Sequence, residues 1–158
     1  MDRRYFIAAA GLILMASACQ SAEEDNIKVA ADAQARLAKL KSISKFGPED
    51  PSAQLPLGYV GYLPPNHRKA AEKLVNAFID KVQAELKGTL SRAWLKHELN
   101  DTYDWFGLSD TEDRERCAFY LEQVLAAVGL PSAEQDINFW LTPFDPIALA
   151  SHPHLEND

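Results

Sequence analysis

Cysteine is scarce, with two in 158 residues. That excludes a disulfide-stapled scaffold and a Cys-rich zinc site. Positive charge is short as well: 16 Lys and Arg face 23 Asp and Glu, for a formal net charge of −7. The basic stripe that marks a nucleic-acid binder is missing, so no nucleic-acid partner is expected. Seven glycines and nine prolines are too few for a collagen-like or low-complexity chain. The main uncharged apolar run, Tyr5–Met15, falls well below the ~20 residues of a spanning helix. No Gly-rich phosphate loop, nucleophile elbow or metalloprotease motif occurs, and no repeat period. Asp101, Asp104, Asp110, Glu112 and Asp113 lack the spacing and central glycine of a calcium loop. Nothing positive supports an enzyme, a cofactor or a metal centre. What is present, 47% hydrophobic and 25% charged residues, is the balance of one ordinary globular domain.

The N-terminal stretch reads as an export signal. Arg3 and Arg4 form a charged start, Tyr5–Met15 an apolar run, and Ala16, Ser17 and Ala18 a small-residue exit before Cys19. Small residues followed at once by Cys resemble the lipobox of bacterial lipoproteins. That resemblance implies a diacylglyceryl group on the Cys19 sulfur and Cys19 as the new N-terminus. Ala16 departs from the pattern, where the family usually has Leu. The same residues also read as an A-x-A site for ordinary cleavage, which would leave a soluble periplasmic protein. Gln20 after the Cys resembles lipoproteins that move on to the outer membrane of Gram-negative cells. Arg3-Arg4-Tyr5-Phe6-Ile7 resembles the twin-arginine export motif; plain n-region charge accounts for the same two arginines. The expected organisation is a signal peptide at 1–18, a tether at 19–25, one helical domain over 26–150 and a frayed tail at 151–158.

Apolar residues then recur at helical spacing. Ile27, Ala30, Ala31, Gln34, Leu37, Ala38 and Lys41 predict a helix over 26–44 with an Ala-rich face. Five prolines and three glycines between 46 and 65 exclude a helix there, and the apolar Leu57–Leu63 predicts an ordered loop. Ala71, Leu74, Val75, Phe78, Ile79, Val82 and Leu86 predict a helix over 65–87, ended at Gly88. A further helix is expected over 91–106, carrying Trp94, Leu95, Leu99, Thr102, Trp105 and Phe106 and stopped by Gly107. Ser109 and Glu112 read as a capping box for a helix over 110–128, which buries Cys117, Tyr120, Leu121, Val124, Leu125 and Val128. Val128-Gly129-Leu130-Pro131 is a complete stop signal. Ser132 and Gln135 repeat the S-x-x-Q pattern before a short helix through Ile137, Phe139, Trp140 and Leu141; Phe144, Ile147 and Leu149 follow as docking residues. No sustained strand alternation appears. The expected fold is all-α, a bundle of four to five helices with a Pro/Gly-rich ordered loop.

Residues capable of chemistry have plainer explanations beside them. His97 and Asp101, with Asp104 on the same side, have the spacing of a metal or acid/base pair and equally of an exposed i, i+4 ion pair. Glu98 sits among apolar neighbours as a snorkelled carboxylate. His67, Arg68 and Lys69 crowd a helix start where the dipole disfavours cations, a surface mismatch or the meeting point for an anion. His152 and His154, with Glu156 and Asp158, can bind metal adventitiously. Cys117 reads as a buried thiol, able to pair with Cys19 only if that cysteine is unlipidated. Tyr59, Tyr62, Tyr103, Trp105 and Trp140, together with Phe139 and Phe144, flank helix ends and loops; a cluster of them would form a protein-binding patch.

Asp104–Leu130, DWFGLSDTEDRERCAFYLEQVLAAVGL, is similar to small bacterial proteins of an uncharacterised domain-of-unknown-function family. The resemblance implies an all-helical fold for the mature domain and brings no catalytic residues. The functional expectation is an exported, lipid-anchored envelope module that binds another protein, as an inhibitor or immunity protein would. The alternative is an envelope carrier of a small molecule or metal, using the space between helices or the histidines.

Overall fold

The apolar stripes predicted within 71–82, 95–102 and 117–128 each close onto a helix. The computed structural model describes residues 26–48, 50 and 63–141. Among these, four α-helices, a two-stranded ribbon and two 3₁₀ turns follow in the order β1 (Asn26–Lys28), α1 (Ala33–Ser42), α2 (Pro65–Glu85), β2 (Thr89–Ser91), α3 (Arg92–Asp104) and α4 (Thr111–Val128), then the 3₁₀ turns Ser132–Glu134 and Ile137–Phe139. The fold is all-α, as the periodicity predicts.

The long helix α2 opens on Pro65, whose fixed φ suits the first helical position and whose missing N–H costs nothing there. It buries Ala71, Val75, Phe78, Ile79 and Val82 at i, i+3, i+4 spacing, with Leu74 partly covered. In α3 the Ser91 hydroxyl accepts from the Trp94 amide at 3.3 Å, and Leu95, Leu99 and Thr102 face inward. The stripe of α4 buries Cys117, Tyr120, Leu121, Val124, Leu125 and Val128. Helix α1 packs chiefly on α4, and α2 touches the other three. The core between them includes Leu37, Phe46, Phe78, Ile79, Leu95, Phe106 and Trp140, all at most 2% exposed. Their burial, at about 25 cal/mol per Å² of apolar area, supplies the main favourable term of folding.

The end of α4 is closed by the motif its sequence predicts. Gly129 takes φ +101°, its amide donates to Ala126 O at 3.2 Å, and the Leu130 amide reaches back to Leu125 O at 3.2 Å. These are the paired bonds of a Schellman stop, with Leu130 buried beyond the glycine. The chain leaving β1 seats itself against this end: the Ala30 amide donates to Val128 O at 2.9 Å. A Cβ on Gly129 would lie 2.8 Å from the Ala30 Cβ, so the contact requires glycine for space as well as for φ.

Four expectations need correction. Residues 26–44 do not form one helix: Asn26–Lys28 is a strand, antiparallel to β2 with Ile27 opposite Leu90, and α1 starts only at Ala33. Each strand has three residues and one inward side chain, too few to register as alternation. The cap of α4 is Asp110, not Ser109; its carboxylate accepts from the Asp113 amide at 2.9 Å, so an Asp-x-x-Asp frame displaces the Ser-x-x-Glu one. After Pro131 the chain makes two 3₁₀ turns rather than a helix, because the Asp136 side chain takes the Asn138 amide and restarts the backbone. Helix α2 ends at Glu85 rather than at Gly88, whose φ of +100° instead shapes the turn into β2. The loop expected before Leu63 and the tail after Leu141 lie outside the described residues.

Candidate functional site

Two of the four buried polar side chains among the described residues, Lys45 and Asp50, lie just beyond α1. Helix ends leave carbonyls without helical partners. Here Ile43 turns to an extended conformation and Lys45 folds its side chain back over the helix it has just left. Its Nζ donates to Ile43 O at 2.9 Å and to Lys41 O at 3.3 Å, while the Ser42 hydroxyl donates to Lys39 O at 2.8 Å. A buried ammonium thus serves as the C-cap of α1, where the helix dipole favours a cation. Lys45 is only 1% exposed. Burial lowers its pKa, opposed by the negative charges of Glu72 and Asp50. Its Nζ also stands 5.7 Å from the centre of the Tyr120 ring, in cation–π range.

The next residue carries the strain. Phe46 has φ +59°, the left-handed region, which costs a non-glycine residue about 1–2 kcal/mol. Its ring stacks on Phe106 at 5.4 Å and meets Tyr120 edge-on at 5.4 Å. The Phe46 amide donates to Asp50 Oδ2 at 3.3 Å, the Asp50 amide to Gly47 O at 3.0 Å, and the Tyr120 hydroxyl to Asp50 Oδ2. Asp50 is 1% exposed, so its carboxylate is a buried hub that clamps the 46–50 turn to α4. The Lys45 amide adds a 3.3 Å bond to Glu72 of α2. An ammonium, a carboxylate and a phenol in low dielectric are groups able to move protons. In this arrangement they join three helices, and each hydrogen bond named closes on the chain itself.

The residues singled out in the sequence are dispersed. His97 Nδ1 and Asp101 Oδ1 stand 3.3 Å apart with side chains 69% and 55% exposed, an open i, i+4 pair; Asp104 is exposed. Glu98 is held by Lys81 across α2 and α3, its side chain 13% exposed. Among the described residues no group of three His, Cys, Asp or Glu could hold a metal. In the cation cluster, Arg68 Nε donates to Leu63 O at 2.6 Å, while His67 and Lys69 face solvent. Cys117 is a free thiol, fully enclosed, and burial pushes its pKa well up. Tyr103 and Trp105 are partly buried against the core, and burial raises the Tyr103 phenol pKa. Trp140 is enclosed: its Nε1 donates to Glu134 O at 2.7 Å and Arg92 lies 5.4 Å over its ring. It presents no free face to a partner. Cys19, Tyr59, Tyr62, Phe144, His152 and His154 lie outside the described residues.

Lys45 and Asp50 escape a sequence reading because their partners sit 27 and 70 residues away, on Glu72 and Tyr120. One local signal exists: Lys45 is the lone charge in Ile43-Ser44-Lys45-Phe46-Gly47, directly after a predicted helix.

One family profile matches, over residues 28–145, and its description is Domain of unknown function (DUF4844). No curated protein and no solved structure matches the chain.

Proposed function

The chain belongs to the DUF4844 family over residues 28–145, and on that premise we propose an exported helical module that binds another protein in the bacterial cell envelope. The signal-like stretch ending at Cys19 supports export and a lipid anchor on the Cys19 sulfur, in the outer membrane facing the periplasm. An inhibitor or immunity role fits a small acidic body of this kind. No catalytic role is assigned to any residue.

The observation that carries the reading is the direction in which side chains face. Reactive groups (Lys45, Asp50, Cys117) are turned inward, whereas Leu108 is 64% and Phe139 67% exposed, with Phe119 at 36%. Large apolar groups left in water gain most from a partner's surface. Tyr59 and Tyr62 join them as candidate contacts, and the outer edges of Tyr103 and Trp105 extend the same proposal.

The test is cross-linking in the native envelope with the full chain, Cys19 retained, beside a Leu108→Asp/Phe139→Asp variant. A single stoichiometric partner captured by the wild type and lost by the variant supports the reading. Equal capture by both refutes it. Intact mass of the processed protein reports cleavage before Cys19 and acylation; a full-length, unmodified chain in the cytosol removes the envelope from the proposal.

A further inference from the structure

Helices α1 and α4 leave a cleft of about 370 Å³ between them, lined by Arg36, Lys39, Leu40, Ile43, Gln123, Ala126 and Ala127. Its floor is apolar: Leu40 and Ile43 are partly buried against the core, and Ala127 is 5% exposed. The rim is cationic. Arg36 and Lys39 are three residues apart on α1 and project along one side. Asp32 occupies only Arg36 Nε, at 2.8 Å, leaving the terminal guanidinium nitrogens for another acceptor. Among the described residues nothing pairs with the Lys39 ammonium. In a chain of net charge −7, Arg36 and Lys39 against the single carboxylate of Asp32 leave this rim with an excess of one positive charge.

We propose that this cleft binds an alkyl chain bearing one anionic head, the anion of a medium-chain fatty acid. The methylenes lie on Leu40, Ile43, Ala126 and Ala127, and the carboxylate bridges Arg36 and Lys39. Guanidinium and ammonium groups make their strongest hydrogen bonds to such an oxyanion. At about 370 Å³ the cleft falls at the small end of the roughly 300–1,000 Å³ of ligand sites, which suits a medium-length chain, and decanoate is the probe. A few convergent polar groups over an apolar floor are the usual composition of small-molecule sites. The inference stands apart from the protein-binding proposal and does not depend on it.

The test is NMR titration of the full chain with decanoate below its micellar concentration, with decylamine and phosphatidylglycerol vesicles as separate arms. The expected result is saturable shifts of the Leu40, Ile43, Ala126 and Ala127 methyls with decanoate and none with decylamine. Lys39→Glu and Arg36→Gln, both at exposed positions, weaken decanoate binding by about tenfold each while leaving the remaining spectrum in place. Ala126→Leu, which fills the floor, abolishes the response. Decylamine binding as well as decanoate, an unchanged affinity in Lys39→Glu, or vesicle binding without a decanoate response would each overturn the proposal.

Discussion

Gly129 sits against Ala30 so closely that the Cβ of any other residue would fall 2.8 Å from the Ala30 Cβ. The contact joins the last turn of α4 to the segment between β1 and α1. It makes one residue answer two demands, a left-handed φ and an absent side chain.

Gly129→Ala should therefore lose about 2–3 kcal/mol, the sum of the left-handed cost and the displacement of Ala30. Gly88, at φ +100° with nothing within 4 Å of its missing Cβ, isolates the first of these. Gly88→Ala should lose only about 1 kcal/mol. Urea unfolding of both variants checks the difference; equal losses would mean that Ala30 yields freely.

Tyr120→Phe removes the hydroxyl that Asp50 accepts from and leaves a buried carboxylate short of a donor. The expected loss is about 1–3 kcal/mol. Lys45→Met keeps the volume and strips the cap of α1, so it should fray α1 first. Hydrogen exchange of the Leu40–Ser42 amides should quicken more in Lys45→Met than in Tyr120→Phe.

Cys117 should resist a water-soluble thiol reagent in the folded protein and react at once in denaturant, because its thiol is enclosed and its pKa raised by desolvation. The raised value also fixes a pH trend. Above the ordinary thiol value of 9.0 the unfolded chain sheds this proton while the folded chain keeps it. The unfolded state then binds fewer protons, so stability falls as pH rises through that window. Cys117→Ala removes this term. Its stability deficit at neutral pH should shrink steadily above pH 9.0, as read from melting temperatures.

His97→Ala and Asp101→Ala should each leave stability within about 0.5 kcal/mol of the wild type, as exposed i, i+4 pairs contribute little. Zinc titration of the two variants should match the wild type; a lost zinc site would restore a metal role to His97.

The sequence reveals most where the deciding contacts are local. The Val128–Pro131 stop is complete within four residues, and the α2 stripe from Ala71 to Val82 repeats over about three turns. The α4 cap slips by one residue because Ser109 and Asp110 are both competent caps, and only the conformation chosen at Asp110 decides between them. The ribbon is hidden for another reason: Ile27 is inward because Leu90 is opposite, a pairing no neighbour of Ile27 announces. The same holds for the Lys45–Asp50 cluster, whose chemistry depends on Tyr120 arriving from α4. The α1–α4 cleft is likewise a product of two helices meeting, with Arg36 and Lys39 unremarkable in the chain taken alone.

The ribbon has a mechanical consequence. A pull from the N-terminal side reaches Asn26 opposite Ser91 first, then Ile27 and Lys28, then the Val29 amide on Gly88 O and the Ala30 amide on Val128 O. Five successive residues clamp the chain to β2, to Gly88 before it and to the end of α4 before any load arrives at α1. Stretched from that end, the molecule should hold its helices until this row of backbone bonds gives way, and then lengthen in one abrupt step.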